Sequence, residues 1–176
     1  MQCREALVAS NGDMAKALEL LKRKSADIAA KKSTRTLGSG VIVAYVHGGS
    51  IGALVKLLCE TDFVARNPDF KILAEDIAMH VSAMNPEYVS EKDVPADKLE
   101  SLKAEFMKEV ASMDKPEEIK AKIVEGKVAS YVKERTLLEQ PFVKDQDKTV
   151  GQVVKEGIQK FGENIEVGGF EALSVR

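Results

Sequence analysis

The stretch that decides the fold runs from Val41 to Asn67 and reads VIVAYVHGGSIGALVKLLCETDFVARN. It contains two runs rich in β-branched and other apolar residues, 41–46 and 53–58, which are joined by Gly48-Gly49-Ser50. Two such runs on either side of a glycine-rich turn are typical of a β-hairpin, and we expect its strands to be antiparallel. The chain therefore contains a small sheet around which the other elements are arranged.

The second strand ends at a corner with the sequence CETDFVARN, residues 59–67. Asp62 and Phe63 bring a carboxylate and a bulky aromatic ring together where the strand stops and a helix is about to begin. Corners of this kind often present side chains to partners. From composition and spacing alone, Phe63 fits equally well as a core residue that packs under the helix, since most aromatic side chains are buried.

Helical patterns follow the corner. Asn67 can cap a helix and Pro68 suits its first helical position, and this helix is expected to end before residue 85. Pro95 and Pro116 each open a further helix, and these two helices are expected to form a pair. The apolar face of the helix that begins at Pro68 consists of Phe70, Leu73, Ile77, Val81 and Met84.

The last third of the chain completes the fold. Thr149 and Gln152 form a capping-box pattern before an apolar helical face, and residues 165–175 are typical of a final strand. Before them, Pro141 within residues 137–144 indicates an ordered, extended crossing between elements. The predicted class is α+β, a small antiparallel sheet flanked by helices and preceded by a short helical module.

The N-terminal residues carry a helical pattern of their own. Asn11 and Gly12 separate two short helices, and Asp13 fits the N-cap of the second. Residues 22–36 are rich in lysine and arginine, and we interpret them as a solvated, charged connector. Contact of this basic run with an acidic partner or with RNA is the alternative, although it lacks interleaved aromatic residues.

The composition favours one core and a protein partner. The 176 residues are 44% hydrophobic, which suffices for one sizeable core. The net charge is only -2, so no global field favours nucleic acid or an anionic membrane. No apolar stretch approaches the roughly 20 residues needed to span a bilayer. Cys3 and Cys59 lack metal-ligand spacing and fit reduced thiols, so a cytoplasmic location is expected.

Three blocks of sequence, in order, carry a family resemblance: residues 59–67, residues 80–86 and residues 138–144. Together they resemble translation elongation factor Ts, of the short bacterial type. The resemblance implies a partial ubiquitin-associated-like helical module at residues 1–24, a linker at residues 25–37 and an elongation factor Ts core and dimerisation domain at residues 38–176. The first helix of the family's module would precede Met1, so the module is expected to be truncated at its N-terminus.

The same resemblance implies a function and a site. Elongation factor Ts exchanges the guanine nucleotide of elongation factor Tu in translation elongation, and it meets that partner in its GDP-bound and nucleotide-free forms. Thr61, Asp62, Phe63 and Val64 match the residues that dislocate the magnesium ion held by the partner. Phe63 would be the apolar wedge, Asp62 would orient it or compete near the magnesium site, and Thr61 and Val64 would support the corner. This activity needs no catalytic residue, cofactor or metal of the chain's own.

Two further expectations follow from the resemblance. Short members of the family can form homodimers, and the exposed edge of the small sheet is the expected interface. Gly168 and Gly169 stand where the family usually carries two arginines, which removes two cations and weakens a strand. A divergent protein that binds elongation factor Tu without promoting exchange is therefore the alternative function.

Other chemistries fit the sequence poorly. Residues 48–52 match the G-x-S-x-G nucleophile pattern around Ser50, but a strand follows where a helix is required. Residues 38–40 begin a strand, and the chain has no G-x-x-x-x-G-K-[ST] loop to hold phosphates. His80 is expected to be a half-buried or hydrogen-bonded histidine, because no second metal ligand is evident.

Overall fold

The computed structural model describes residues 2–113 and 115–175 and has the predicted α+β class. The helices are α1 (Gln2–Ala9), α2 (Met14–Lys32), α3 (Asp62–Ala65), α4 (Pro68–Met84), α5 (Ala96–Val110), α6 (Glu117–Arg135) and α7 (Val150–Phe161). The strands are β1 (Ser39–His47), β2 (Ile51–Cys59), β3 (Pro141–Phe142), β4 (Asp145–Thr149) and β5 (Ile165–Ser174). Short 3-10 turns cover Glu91–Asp93 and Leu137–Glu139. None of the described helices is both long and apolar enough to cross a membrane.

A three-stranded antiparallel sheet with the strand order β1-β2-β5 forms the centre of the protein. The predicted hairpin is confirmed, because β1 pairs with β2 from Ser39 opposite Cys59 to His47 opposite Ile51. The predicted last strand, β5, pairs with the other edge of β2 and places Ile165 opposite Cys59. The strand β2 is therefore central, and its end is held on both sides.

Gly168 and Gly169 lie at a β-bulge. The register of β5 against β2 shifts between Lys56 and Leu57, so β5 carries an extra residue at this point. Gly169 has a φ of 144°, which L side chains rarely adopt, and a Cβ on Gly168 would lie 2.7 Å from Cε of Lys56. The glycine pair thus accommodates a bulge inside a strand that continues beyond it.

The inner face of the sheet packs against α4 and α7. Val55, Leu57 and Cys59 alternate along β2 and are fully buried on this face. Phe70 of α4 is also fully buried, and its ring meets that of Phe161 edge to face with centroids 5.7 Å apart. Burial of these apolar side chains is the main source of the stability of the core.

The predicted pair of helices, α5 and α6, has a small core of its own, and we call it the helical arm. Pro95 and Pro116 occupy the N-cap positions of its two helices. The two helices pack mainly on each other. Their connection to the rest of the protein includes backbone hydrogen bonds from Tyr88 to Arg135 and from Leu137 to Tyr88. The buried residues of the arm are Val94, Leu102, Val110, Val124, Val128 and Val132.

The second N-terminal helix is longer than predicted. Asp13 caps α2, accepting hydrogen bonds from the backbone N–H groups of Ala15 at 3.0 Å and Lys16 at 3.1 Å. The helix then continues to Lys32, so the connector predicted for residues 22–36 is helical over most of its length. The reason is that alanine, lysine and arginine are strong helix formers, and a charged surface does not end a helix.

The basic helix α2 packs against α7 and carries exposed ion pairs. Ser25 of α2 is buried and donates a hydrogen bond to the side chain of Gln159 in α7. Arg23 pairs with Glu19 at 3.1 Å, which neutralises one of the charges locally. Exposed ion pairs of this kind are typical of a solvated helix surface. The division of the chain at residues 24 and 37 stays a prediction.

His80 connects α4 to the crossing at residues 137–144, which is ordered. The side chain is fully buried, with Nε2 2.9 Å from Oε1 of Gln140 and Nδ1 accepting the backbone N–H of Val143 at 3.2 Å. Gln140 in turn donates to the carbonyl oxygen of Glu134 at 2.6 Å. The expected hydrogen-bonded histidine is confirmed. Because Nδ1 is an acceptor, this arrangement requires a neutral imidazole that carries its proton on Nε2.

Acid is expected to destabilise the protein through His80. Burial lowers the pKa of His80 below its ordinary value, although the bond to Gln140 acts in the other direction. The unfolded chain therefore binds the proton more readily. The stability that the neutral, buried imidazole provides above about pH 6.5 is lost as the pH falls below that value. In urea titrations between pH 7.5 and 5.5, His80→Gln should flatten the decline of the unfolding free energy, by at most about 1.4 kcal/mol per pH unit.

His47→Gln is the matched control, because His47 is exposed on the hairpin. The unfolding free energy of this variant should decline with falling pH as steeply as that of the wild-type protein. Equal slopes for the His80 variant and the wild-type protein would contradict the assignment.

Candidate partner-binding corner

The corner, residues 59–67, joins the end of β2 to the start of α4. Thr61 has an extended backbone and occupies the N-cap position of the single-turn helix α3. Asp62 and Phe63 are the first two residues of α3, and we call them the tip. The four residues predicted to meet a partner, the tip with Thr61 and Val64, therefore lie together where the central strand ends.

Phe63 is 88% exposed, so the interpretation of this residue as part of the core is wrong. The reason lies in the geometry of one helical turn. Ala65 is buried and Val64 is partly buried against the core, and two residues along a helix turn a side chain by about 200°, so Phe63 lies on the opposite side from Ala65. Aromatic side chains are enriched in protein interfaces, and the exposure of this ring suits such a role.

Asp62 is exposed beside the aromatic ring. Its carboxylate pairs with Arg66 at 3.1 Å, one turn further along the chain, and both side chains are mostly exposed. An exposed pair of this kind contributes little to stability. The carboxylate is therefore accessible to a cation or a hydrogen-bond donor of a partner.

Two carboxylates hold the base of the corner, and we call this set of hydrogen bonds the carboxylate clamp. Oε2 of Glu163 accepts the backbone N–H groups of Glu60 at 3.1 Å and Thr61 at 3.0 Å, and Oε1 accepts the Thr61 hydroxyl at 2.5 Å. In the other direction, Oε1 of Glu60 accepts the backbone N–H of Asn164 at 2.6 Å. The end of β2 and the start of β5 thus bind each other reciprocally.

Glu163 is a site residue that the sequence does not predict. It lies 103 residues from Glu60, and no periodic pattern relates a carboxylate to a backbone N–H group so far away. The local signal was a glycine, Gly162, which ends α7 in the left-handed conformation with a φ of 75°. That turn directs the two polar residues after it towards the corner.

Positive charge near Glu60 extends the clamp to the end of α2. The N–H of Asn164 is the main cause that lowers the pKa of the Glu60 carboxyl, and Arg35, 3.4 Å away, acts in the same direction. Lys32, the last residue of α2, donates a hydrogen bond to the carbonyl oxygen of Gly162. The end of α2 is therefore attached to the same junction as the corner.

Cys59 supports the corner from below. Its thiol is fully buried and donates a hydrogen bond to the carbonyl oxygen of Thr61 at 3.2 Å. Burial raises the pKa of this thiol, and the charge of Glu163 adds to the effect. The thiol is protonated at neutral pH, and its contribution is structural.

The other candidate residues do not assemble into a site. Ser50 lies in the turn between β1 and β2, so the helix that a nucleophile elbow requires is replaced by a strand. The nearby His47 places its Nδ1 3.0 Å from the hydroxyl of Tyr45. Within residues 2–113 and 115–175, no three histidine, cysteine, aspartate or glutamate side chains form a group that could hold a metal ion.

The arrangement at the tip suits contact with another protein. An exposed aromatic ring and an exposed carboxylate stand side by side on one helical turn. Hydrogen bonds hold the base of that turn against the core. Exposed aromatic side chains held in this way commonly act as anchors in protein interfaces.

Comparison with known proteins supplies the family. The model of the family described as Elongation factor TS matches residues 25–175. A protein named Elongation factor Ts from Desulforamulus reducens is 49% identical over 171 residues, covering 97% of this chain and 79% of that relative. Relatives of the same name from Fervidobacterium nodosum and Thermosipho melanesiensis are each 44% identical over 176 residues, with 99% of this chain and 89% and 90% of the relatives covered.

The exposed tip should contribute little to folding. Phe63→Ala is expected to change the unfolding free energy by less than about 0.5 kcal/mol, because the ring is exposed to water in the folded chain as well as in the unfolded chain. Phe70→Ala, which removes a fully buried ring of α4, should cost about 3–5 kcal/mol. Urea denaturation of both variants checks this contrast. A destabilisation of several kcal/mol by Phe63→Ala would show that the ring packs in the fold.

Proposed function

The chain belongs to the elongation factor Ts family, and we propose that it is a guanine-nucleotide exchange factor that promotes release of GDP from elongation factor Tu. The observation that carries the proposal is the tip, where Phe63 is 88% exposed beside Asp62 on a supported helical turn. The protein would act through protein–protein contact in translation elongation. It requires no catalytic residue and no cofactor of its own.

The tip residues would divide the work as the family resemblance implies. Phe63 would enter the nucleotide-binding domain of elongation factor Tu and displace elements that hold the magnesium ion between the phosphates. Asp62 would orient the ring or compete near the magnesium site. Thr61, bound through its hydroxyl to Glu163, and Val64, partly buried, would support them. Loss of the magnesium ion would weaken GDP binding.

Exchange follows from thermodynamic linkage. If this protein lowers the affinity of elongation factor Tu for GDP by some factor, GDP lowers the affinity of elongation factor Tu for this protein by the same factor. The factor therefore binds both the GDP-bound and the nucleotide-free partner. GTP then binds the nucleotide-free complex and displaces the exchange factor, so no covalent step is needed.

We also propose that two copies of the chain associate through the outer face of the sheet. Exposed apolar side chains alternate on this face, including Ile42 (71% exposed), Val46 (68%) and Leu173 (75%). Val46 and Leu173 lie on either side of Gly52 in one row across the three strands. The same face also carries the exposed charged residues Lys56 and Glu171, so its apolar part is a patch near the hairpin turn. Exposed apolar patches are common sites of association, and we therefore place the interface on this face rather than on the edge of the sheet.

Release of a fluorescent GDP analogue from elongation factor Tu in magnesium tests the exchange function. The wild-type protein should accelerate release, and Phe63→Ala should lower that acceleration about thirtyfold or more, as for the loss of an aromatic anchor. Asp62→Ala should lower the acceleration less than Phe63→Ala does. Ile72→Ala is the matched control, because it removes an exposed apolar side chain from α4 and should behave as wild type.

Three outcomes of this assay are distinct. Acceleration that is lost in the Phe63 variant supports the proposal. Binding without acceleration by the wild-type protein would favour the alternative, a protein that binds elongation factor Tu without exchange. A larger loss in the Asp62 variant than in the Phe63 variant would contradict the role of the ring as the wedge.

Sedimentation equilibrium tests association of two copies. The wild-type protein should dimerise with increasing concentration, and Val46→Glu should be monomeric, because the new charge would lose water in the interface. Ile72→Glu places the same charge on an exposed position of α4 and should leave the dimer intact. A wild-type protein that stays monomeric throughout would refute this interface.

A further inference from the structure

We infer that Glu163 is a positioning residue that fixes the direction of the tip through its hydrogen bonds to Glu60 and Thr61. The inference rests on the proposed function, because the direction of the tip matters when the tip enters a partner. Glu163, which lies in the connection between α7 and β5, would thus contribute to the action of the tip.

A single carboxylate holds three donors at the point where sheet pairing stops. Cys59 is the last paired residue of β2, and the next two backbone N–H groups, of Glu60 and Thr61, both donate to Glu163. The Thr61 hydroxyl donates to the other oxygen of the same carboxylate. Hydrogen bonds to an ionised acceptor are stronger than neutral ones, and a carboxylate that engages both oxygens also fixes orientation.

The helix α3 cannot set its own direction. It has four residues, and a single turn is not stable in isolation. Its direction is therefore set by its two ends. At the C-terminal end, Ala65 is buried and Asn67 caps the next helix. At the N-terminal end, the carboxylate clamp holds the backbone N–H groups of Glu60 and Thr61, and the Cys59 thiol donates to the Thr61 carbonyl oxygen.

The clamp connects the tip to the rigid body of the protein. Glu163 directly follows the turn at Gly162 that ends α7, and Asn164 is buried just before β5. The reverse bond, from the Asn164 N–H to Glu60, means that the two chain segments are joined in both directions. Two opposed attachments restrict rotation of the corner as well as its displacement.

A role limited to fold stability is less consistent with the exposure of these groups. Thr61 is exposed and Glu60 is only partly buried, so N–H groups released from Glu163 can bond to water. Removing an acceptor from accessible donors costs the fold less than removing it from buried ones. Loss of Glu163 should therefore impair activity more than stability.

A tryptophan at the tip measures its mobility without any partner. The chain has no tryptophan, so Phe63→Trp introduces a unique fluorophore. Adding Glu163→Ala in this background should raise the amplitude of nanosecond motion of the indole, measured by time-resolved anisotropy, about twofold. Adding Glu163→Gln should restore the wild-type amplitude, because the amide oxygen can accept both N–H groups while its NH₂ donates to the Thr61 hydroxyl oxygen.

Glu163→Asp separates geometry from charge. It keeps the negative charge but shortens the side chain by one methylene, so it should behave like the alanine variant. With Phe63 in place, Glu163→Ala should lower the maximal rate of GDP release about tenfold, because a small misplacement of the tip suffices. The concentration for half-maximal effect should stay within about threefold, since the other contacts with the partner remain. Glu105→Ala, an exposed glutamate of the helical arm, is the matched control and should match wild type.

The outcomes decide the inference. Retained exchange in the aspartate variant with loss in the glutamine variant would show that the charge of Glu163 acts on the partner directly, which overturns positioning. Unchanged anisotropy in the alanine variant, or increased mobility with undiminished exchange, would also overturn it. If the wild-type protein fails to accelerate GDP release, the proposed function fails, while the anisotropy series still decides whether Glu163 fixes the tip.

Discussion

Pairing of β2 along both of its edges is the constraint on which the rest of the structure depends. The strands β1 and β5 hold β2 from either side, so its side chains must point alternately to the two faces of the sheet. Val55, Leu57 and Cys59 are buried on the face that packs against α4. The same pairing fixes the point in space at which the strand ends. The corner inherits that position, because only two residues separate the end of β2 from the start of α3.

The corner is a meeting point of four segments that are distant in sequence. The end of α2, the end of β2, the end of α7 and the start of β5 exchange hydrogen bonds through Lys32, Glu60, Glu163 and Asn164. A protein that acts by inserting an exposed side chain needs that side chain to be held from behind, since order gained only on binding reduces affinity. The polar junction supplies this support at the N-terminal end of the corner, and the buried Ala65 supplies it at the other end.

Local signals predicted most of the elements, because caps act within one turn of a helix. Asn67 and Thr149 each accept the hydrogen bonds that their positions indicate. Composition and spacing alone leave the exposure of Phe63 open, because four helical residues are too few to show a face by periodicity, whereas the family resemblance predicts an exposed wedge. The charge of residues 22–32 predicts a solvated connector, but their high helix propensity decides their conformation. Glu163 was missed because a bond spanning 103 residues leaves no local pattern.

The helical arm has a mechanical consequence. Its two helices have a separate core, and they join the body at a narrow base where Tyr88 and Thr136 form an isolated bridge. The longer helix has 19 residues and is therefore about 28 Å long, so a rotation of about 10° at the base moves its far end by about 5 Å. A small backbone adjustment at the base would therefore displace the far end of the arm by about one helical turn, without any change in the sheet.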